Sequence, residues 1–282
     1  MNVGDVMTPR SDLVTAEIPG TRDDVLEYLQ QRQFSSVPVV KQADDGEQFR
    51  GLITRESLIE EPEEDQLALL VEEVPTTDPE TAVSVLTEQM RETGERRVPV
   101  LSDGAFVGMV TVTDVIQAIA EGSIDGDAAV GDLATRSVNT AYAETPLPVV
   151  ERELSYADVP YAVVLDDDGD PTGMVTDVDI IAVARVVQGS ADPGDAVAGQ
   201  DDEWMWEGIK AVGSRAVPTL NVEIPTEAVR EFMTDDLVTV GRTKTARETA
   251  RLMIKHDIEQ IPLVSGGTLI GIVRDVDLLE AV

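Results

Sequence analysis

Two threonine–aspartate pairs have the residue types and spacing of a binding site. Thr111 and Asp114 lie in the phrase GMVTVTDVIQAI, and Thr176 and Asp179 lie in GMVTDVDIIAVA, each pair at the start of an apolar run with helical spacing. A Thr and an Asp three residues apart can cap the first backbone amides of a helix. The same carboxylate could instead accept two hydrogen bonds from a cis-diol, while the hydroxyl and exposed amides suit phosphate oxygens. The residues alone leave both interpretations open.

Two further copies of the phrase are altered at these positions. In GIVRDVDLLEAV, Arg274 stands where threonine is expected and Asp277 follows it. That guanidinium could bind a phosphate through two hydrogen bonds, or it could block the pocket. In GLITRESLIEEP, Ser57 stands where aspartate is expected. Since one hydroxyl cannot replace two carboxylate acceptors, we expect the site at Ser57 to be weak or empty.

These phrases belong to four internal repeats. Each repeat has a glycine that opens the phrase and, upstream of it, a proline inside an apolar run. The glycines are Gly51, Gly108, Gly173 and Gly271, and the prolines are Pro38, Pro99, Pro160 and Pro262. A helical pattern precedes each proline, and two short β-branched runs joined by a polar turn lead to a second helix. The predicted unit is therefore strand–helix–strand–strand–helix. Because so small a unit buries little apolar surface, two copies should pack together.

Two of the first helices have well-defined apolar faces. In TAVSVLTEQMRETG the spacing of apolar residues predicts a buried face of Ala82, Val85, Leu86 and Met90. In TARETARLMIKHD, Thr245 and Glu248 have the spacing of a capping box. The apolar face predicted after this box consists of Ala246, Ala250, Met253 and Ile254.

The unit resembles the cystathionine-beta-synthase (CBS) domain, and a tandem pair resembles a Bateman module. The likeness rests on the glycine, the Thr or Ser, the Asp and the upstream proline, and the fourth copy, IEQIPLVSGGTLIGIVRDVDLLEAV, is the most typical. It implies an α+β fold (α/β by some schemes) of four CBS repeats packed as two tandem pairs. The predicted repeats are residues 1–62, 67–122, 128–188 and 230–282, with an insertion and connector at 189–229.

The resemblance also implies a function and its residues. Similar proteins bind adenosine compounds with the Asp on the ribose, while the paired repeat supplies the adenine wall. One predicted site comprises Thr176, Asp179, Val238, Thr239, Ile261 and Pro262. Apart from the resemblance, the concentration of basic residues in the fourth repeat makes Lys244 and Arg242, beside this site, the candidate phosphate contacts. A second predicted site comprises Thr111, Asp114, Val14, Thr15, Val37 and Pro38, and a third, altered one has Arg274 and Asp277.

The expected role is regulatory and not enzymatic. AMP, ADP or ATP would be sensed, and occupancy would pass to an unidentified protein target. S-adenosylmethionine or methylthioadenosine is an alternative ligand, and a structural scaffold without ligand is a second alternative. No cofactor or metal is expected, and a homodimer is one assembly that the resemblance allows.

Composition narrows the function classes further. The chain has 55 acidic and 21 basic residues, a net charge of −34, no cysteine and one histidine, His256. Without a basic footprint, nucleic-acid binding is not expected, and disulfides, thiolate metal sites and His-based triads are excluded. We interpret the charge as adaptation to a salt-filled cytoplasm, as in halophilic archaea, over an acidic face for a basic partner. With no long apolar run and no secretory pattern, we expect a cytoplasmic protein that does not bind membranes.

The insertion concentrates the tryptophans of the chain. Trp204 and Trp206 flank Met205 in a protein with 4% aromatic residues. Such a cluster could anchor a partner or pack against its own domain. The basic residues concentrate elsewhere, since a third of them lie in the fourth repeat. They indicate where an anion could be held, although i, i+4 spacing also fits a solvated helix face.

Overall fold

The computed structural model describes residues 1–31, 36–43, 46–54, 57–58, 64–189 and 219–282. The tryptophan insertion, with residues 204 and 206, lies outside the described residues. The chain forms two compact units. The first consists of Met1–Thr135, Val240–Ile261 and Val273–Val282, and the second consists of Arg136–Thr239 and Pro262–Ile272.

The elements follow the order expected for four repeats. The strands are β1 (Thr8–Pro9), β2 (Ala16–Glu17), β3 (Ser36–Ala43), β4 (Gly46–Thr54), β5 (Arg97–Ser102), β6 (Ala105–Thr111), β7 (Thr140–Tyr142), β8 (Tyr161–Leu165), β9 (Pro171–Thr176), β10 (Arg185–Gly189), β11 (Thr219–Glu223), β12 (Gln260–Ser265) and β13 (Thr268–Arg274). The α-helices are α1 (Arg22–Gln31), α2 (Leu67–Leu70), α3 (Val83–Thr93), α4 (Val112–Glu121), α5 (Val130–Leu133), α6 (Leu147–Ala157), α7 (Asp177–Val183), α8 (Ala246–His256) and α9 (Asp275–Leu278). Short 3₁₀ helices cover Val3–Asp5, Arg10–Asp12, Val229–Glu231 and Leu279–Ala281.

The sheets are small and share one plan. In the order β2–β3–β4 of the first unit and β7–β8–β9 of the second, a short parallel strand flanks an antiparallel hairpin. The second repeat has the order β1–β6–β5, in which β1 comes from the entry segment of the first repeat. The predicted connector is partly regular, because β11 pairs antiparallel with β10 at the end of the third repeat.

Three of the four motif glycines, Gly51, Gly108 and Gly173, lie where a neighbouring repeat brings its backbone close to the sheet. A β-carbon on Gly108 would lie 2.6 Å from the carbonyl oxygen of Thr8, so only glycine permits β1 to pair with β6 at this point. Close backbone approaches of the same kind involve Glu72 at Gly51 and Thr234 at Gly173. A strand irregularity one residue before the glycine recurs in the β3–β4, β5–β6 and β8–β9 hairpins. The glycine therefore has a structural role, the exchange of strands between repeats.

The predicted helix faces are correct in part. The capping box of Thr245 and Glu248 is present at the start of α8, and Ala246, Ala250 and Met253 are buried. Ile254, however, is 38% exposed. In α3 the predictions for Ala82 and Val85 are wrong. Ala82 is exposed and precedes the helix, and Val85 is 55% exposed, while Val83, Leu86, Thr87 and Met90 are buried. Leu86 and Met90 are buried as predicted, but the buried face includes Val83 in place of Val85. Either valine is compatible with the helical spacing of apolar residues, so the sequence pattern does not distinguish them.

Candidate functional site

Asp114 and Asp179 cap the helices that follow their strands. The amide and the hydroxyl of Thr111 donate to Oδ2 of Asp114 at 2.7 and 2.8 Å, and the amide of Asp114 donates back to the Thr111 hydroxyl at 3.2 Å. Thr176 and Asp179 repeat this arrangement at 2.8, 2.8 and 3.3 Å. The capping interpretation of the motif therefore holds in both copies. It uses one carboxylate oxygen, and within the described residues no protein donor is assigned to Oδ1 of either aspartate.

Asp114 is half-buried, and its surroundings oppose the charged form. Burial raises the pKa of Asp114 above its ordinary value, and the hydrogen bonds from Thr111 offset this only in part. A carboxylate in this state gains from an additional hydrogen-bond donor, because each donor that reaches Oδ1 replaces lost hydration. A ligand hydroxyl pair is one group that could supply such a donor.

The first repeat keeps the cap without the carboxylate. The amide of Thr54 donates to the hydroxyl of Ser57 at 3.0 Å, and the amide of Ser57 donates to the Thr54 hydroxyl at 3.0 Å. Ser57 is 6% exposed. Serine thus preserves the local geometry of the motif but leaves no second acceptor for a diol.

In the fourth repeat both oxygens of the aspartate are occupied by arginine. The amide and Nε of Arg274 donate to Oδ2 of Asp277 at 2.8 and 3.2 Å, and Nη2 donates to Oδ1 at 2.6 Å. Asp277 is 8% exposed. The pair lines a cleft of about 320 Å³ that Arg91 and Arg96 of the second repeat also line. The guanidinium of Arg274 is thus directed at Asp277, and its two predicted roles, phosphate binding and blocking of the pocket, both stay predictions.

The predicted wall residues occupy different surroundings. Val14 and Thr15 are half-buried ahead of β2. Val37 and Pro38 are buried in β3, where Val37 packs with Ala16 and Ile53. All residues predicted for the Asp114 site belong to the first compact unit.

The residues predicted for the Asp179 site are divided between the units. Half-buried Val238, exposed Thr239 and buried Pro262 belong to the second unit with Asp179. Ile261, which is 0% exposed, and half-buried Lys244 belong to the first unit.

Four basic residues of the fourth repeat have partners within the chain. The contacts are Lys244 with Glu248 at 3.9 Å, Arg247 with Asp127 at 2.8 Å, Arg251 with the carbonyl of Ala120 at 2.7 Å, and Arg230 with Glu144. A phosphate at Lys244, Arg247 or Arg230 would compete with a carboxylate already in place. His256 is exposed at the end of α8.

Arg10 is a candidate that the sequence did not reveal. Its guanidinium donates to both oxygens of Glu47 at 2.6 and 2.8 Å and to the hydroxyl of Thr15 at 2.8 Å. The carbonyl of Leu13 accepts a further bond at 3.3 Å. Hydrogen bonding to Glu47 is the main cause that raises the pKa of Arg10 and lowers the pKa of Glu47. Arg10 thereby fixes the segment that carries two predicted wall residues. The only available signal was an isolated arginine in an acidic chain.

Arg96 was also missed, although it connects two repeats. Its Nη2 and Nη1 atoms donate to Asp275 at 2.5 and 3.1 Å, and Glu259 lies 3.2 Å away. Burial alone would lower the pKa of Arg96, but the hydrogen bonds and charges of Asp275 and Glu259 outweigh it and raise the pKa. The second and fourth repeats are therefore joined by a largely buried ion pair within the first compact unit.

The described residues show neither a metal-binding cluster nor a membrane-spanning helix. Among the described residues, no group of His, Cys, Asp or Glu side chains has the arrangement of a metal site. In the same part of the chain, none of the helices combines the length and apolar character needed to cross a bilayer.

The repeated unit has backbone from a neighbouring repeat at the motif glycine and a capped second helix. These features are those of a protein built from paired tandem repeats. The family model of the CBS domain matches residues 3–64, 68–121, 130–185 and 229–282, so the chain belongs to the CBS-domain family. The predicted α+β fold of four CBS repeats in tandem pairs is thus confirmed.

Three similar proteins match this chain over nearly its full length. An uncharacterized protein of Methanocaldococcus jannaschii, MJ1404, is 25% identical over 279 residues, which cover 99% of this chain and 61% of that protein. The crystal structure of an uncharacterized conserved protein from Pyrococcus horikoshii has a TM-score of 0.70 and 25% identity, covering 100% of both chains. Protein MJ1225 of M. jannaschii, described as a proposed archaeal homologue of g-AMPK, has a TM-score of 0.66 at 19% identity over 99% of both chains and supports the fold alone.

Proposed function

We propose that this protein is a regulatory module that binds an adenosine compound such as AMP, ADP or ATP between paired CBS repeats. Occupancy would pass to a protein partner that has yet to be identified. The observation that carries the proposal is the state of Asp114 and Asp179. Each is half-buried in the first turn of a helix that directly follows a strand, and the hydrogen bonds of its cap use Oδ2. Oδ1 is therefore available for the hydroxyls of a ribose.

The four copies of the motif differ in the hydrogen-bond acceptor that a ribose contact requires. Ser57 supplies a cap without a carboxylate, and the carboxylate of Asp277 is taken by Arg274. We therefore propose ribose contacts at Asp114 and Asp179 and none at Ser57 or Asp277. In each site the paired repeat would provide the adenine wall, and for Asp114 this wall would include the segment that Arg10 holds through Leu13 and Thr15.

Signalling would follow from a shift between two packings of a repeat pair. A ligand that touches both repeats favours the packing it binds better, and it shifts the equilibrium only by the difference in its two affinities. Since the strands are exchanged at the motif glycines, a change in one repeat reaches the sheet of its neighbour directly.

A second ligand class is favoured by one observation. Lys244 and Arg247 are paired with Glu248 and Asp127, which reduces the positive charge that these two side chains offer to phosphate groups in a chain with a net charge of −34. Methylthioadenosine and S-adenosylmethionine offer the same ribose without phosphate. They belong in the same ligand panel.

The structure supplies a matched variant for the test. Asp114→Ser and Asp179→Ser copy the cap seen at Ser57, so they should keep the fold and lose the diol acceptor. Melting temperatures would be recorded in molar potassium chloride with AMP, ADP, ATP, S-adenosylmethionine and methylthioadenosine. A ligand at about 100 times its Kd stabilises a protein by about 2.7 kcal/mol, or about 5 °C at this chain length.

The expected result is a shift in the wild type that shrinks in each serine variant and disappears when both are combined. A panel without any shift would favour the scaffold alternative. A shift that survives in the double variant would show that an adenosine compound binds elsewhere in the chain.

A further inference from the structure

The Arg96 ion pair is connected to the Asp114 site through the main chain. The carbonyl of Arg96 accepts a hydrogen bond from the amide of Val112 at 3.0 Å. Val112 is the first residue of α4, the helix that Thr111 and Asp114 cap. The next residue, Arg97, is the register partner of Thr111 in the β5–β6 hairpin. Arg96 therefore sets the backbone from which both ligand-binding side chains of this copy extend.

The side chain of Arg96 is held by the fourth repeat. Asp275 accepts through both of its carboxylate oxygens. Its position is fixed, because its side chain is 7% exposed and its backbone amide donates to the backbone carbonyl of Glu259 at 2.7 Å. The two anchoring points of Arg96, its carbonyl and its guanidinium, thus belong to different repeats. A movement of α4 relative to the fourth repeat would strain one of them.

We propose that Arg96 is the positioning residue that couples the Asp114 site to the fourth repeat. This inference rests on the proposed function and adds the route by which occupancy leaves the site. With the ion pair intact, the start of α4 is held in the arrangement that presents Oδ1 of Asp114 to a diol. Without it, the site must be ordered at the moment of binding, and affinity falls. Because coupling between two sites is reciprocal, ligand at Asp114 also strengthens the contact with Asp275.

Asp275→Asn tests the coupling without touching the site. The substitution weakens the contact with Arg96 from the far side and leaves the Arg96 carbonyl in place. The background is the full chain carrying Asp179→Ser, so that adenosine titrated calorimetrically in molar potassium chloride reports the Asp114 site alone. Adenosine is used because it has the ribose and lacks phosphates that arginine could bind.

The matched control is Arg91→Met. Arg91 also contacts the fourth repeat, through Glu280 at 2.6 Å, but this pair is 44% and 43% exposed. We expect Asp275→Asn to weaken adenosine binding about 5-fold or more, in the usual range of coupling between sites, and Arg91→Met to leave it unchanged. Arg96→Lys keeps the charge but not the two hydrogen bonds to Asp275, so it should weaken adenosine binding to a similar extent. It replaces Asp275→Asn in the test if that variant does not fold.

The outcomes separate the two proposals. Unchanged affinity in Asp275→Asn, with adenosine still bound in the Asp179→Ser background, would overturn the coupling and leave the proposed function standing. Equal losses in Asp275→Asn and Arg91→Met would mean general loosening and would also overturn it. If the Asp179→Ser background binds no adenosine but the wild type does, the assignment of Asp114 fails and the coupling fails with it.

Discussion

Replacing Arg96 by methionine should destabilise the protein far more than replacing Arg91 by methionine. Both arginines lie in the second repeat and contact a carboxylate of the fourth. They differ in burial, because the side chains of Arg96 and Asp275 are 33% and 7% exposed, whereas those of Arg91 and Glu280 are 44% and 43% exposed. Methionine keeps most of the apolar stem. The comparison therefore isolates the ion pair.

The expected magnitudes follow from what each substitution leaves behind. Arg96→Met leaves Asp275 buried without its charged partner, and breaking a buried pair in this way costs about 3–5 kcal/mol. Since a third of the Arg96 side chain reaches solvent, we take the lower end, about 3 kcal/mol. An exposed pair such as Arg91 with Glu280 contributes about 0.2–1 kcal/mol. For a chain of this length the melting temperature should fall by about 6 °C for Arg96→Met and by about 2 °C or less for Arg91→Met.

Thermal and urea unfolding in molar potassium chloride measure the difference. Adding Asp275→Leu to Arg96→Met should recover most of the loss, because removing both members of a buried pair is often nearly neutral. Equal losses for Arg96→Met and Arg91→Met would refute the reasoning. So would a double variant that is less stable than Arg96→Met alone.

Two further predictions concern the Asp114 site and its glycine. Burial raises the pKa of Asp114 in the folded protein. As pH falls, Asp114 is therefore protonated in the folded protein at a higher pH than in the unfolded chain. The wild type should therefore gain stability relative to Asp114→Asn between that pKa and the unfolded value of about 3.9; a difference in melting temperature that stays constant from pH 7 to pH 4 would contradict this. Gly108→Ala should cost about 2–3 kcal/mol, since its β-carbon would lie 2.6 Å from the Thr8 carbonyl. Gly241→Ala, with nothing within 4 Å, should leave the urea midpoint unchanged or slightly raised, and similar losses in both variants would refute the strand-exchange role of Gly108.

The parts of the fold that depend on local sequence were predictable. Thr245 and Glu248 form the capping box that their spacing indicates, and Thr111 and Asp114 form another. The order of strands and helices in the repeats follows from apolar periodicity and from the recurrence of glycine and proline. These features need only a few neighbouring residues, so one repeat carries the information and its copies reinforce it.

The remaining features depend on contacts between distant residues. Val85 and Val83 both fit a helical apolar face, and only the packing of α3 decides that Val83 is buried. The partners Arg96 and Asp275 are 179 residues apart. Nothing in either local sequence marks them, because a charge next to a strand is compatible with solvent as well as with a partner. The contact between Arg274 and Asp277 was equally hard to predict. The sequence shows an arginine at the threonine position, but it does not show the direction in which the guanidinium points.

The comparison of the four copies separates what the motif does for the fold from what it can do for a ligand. Every copy satisfies its helix start, with Asp114, Asp179, Ser57 or Asp277 as the acceptor. The cap requires a single oxygen, so a serine can supply it. A diol requires the second oxygen, which Ser57 lacks and which Arg274 occupies at Asp277. If the ribose contacts proposed at Asp114 and Asp179 hold, a repeat can lose its ligand contact and still keep its cap, so four repeats can serve the architecture while two of them bind.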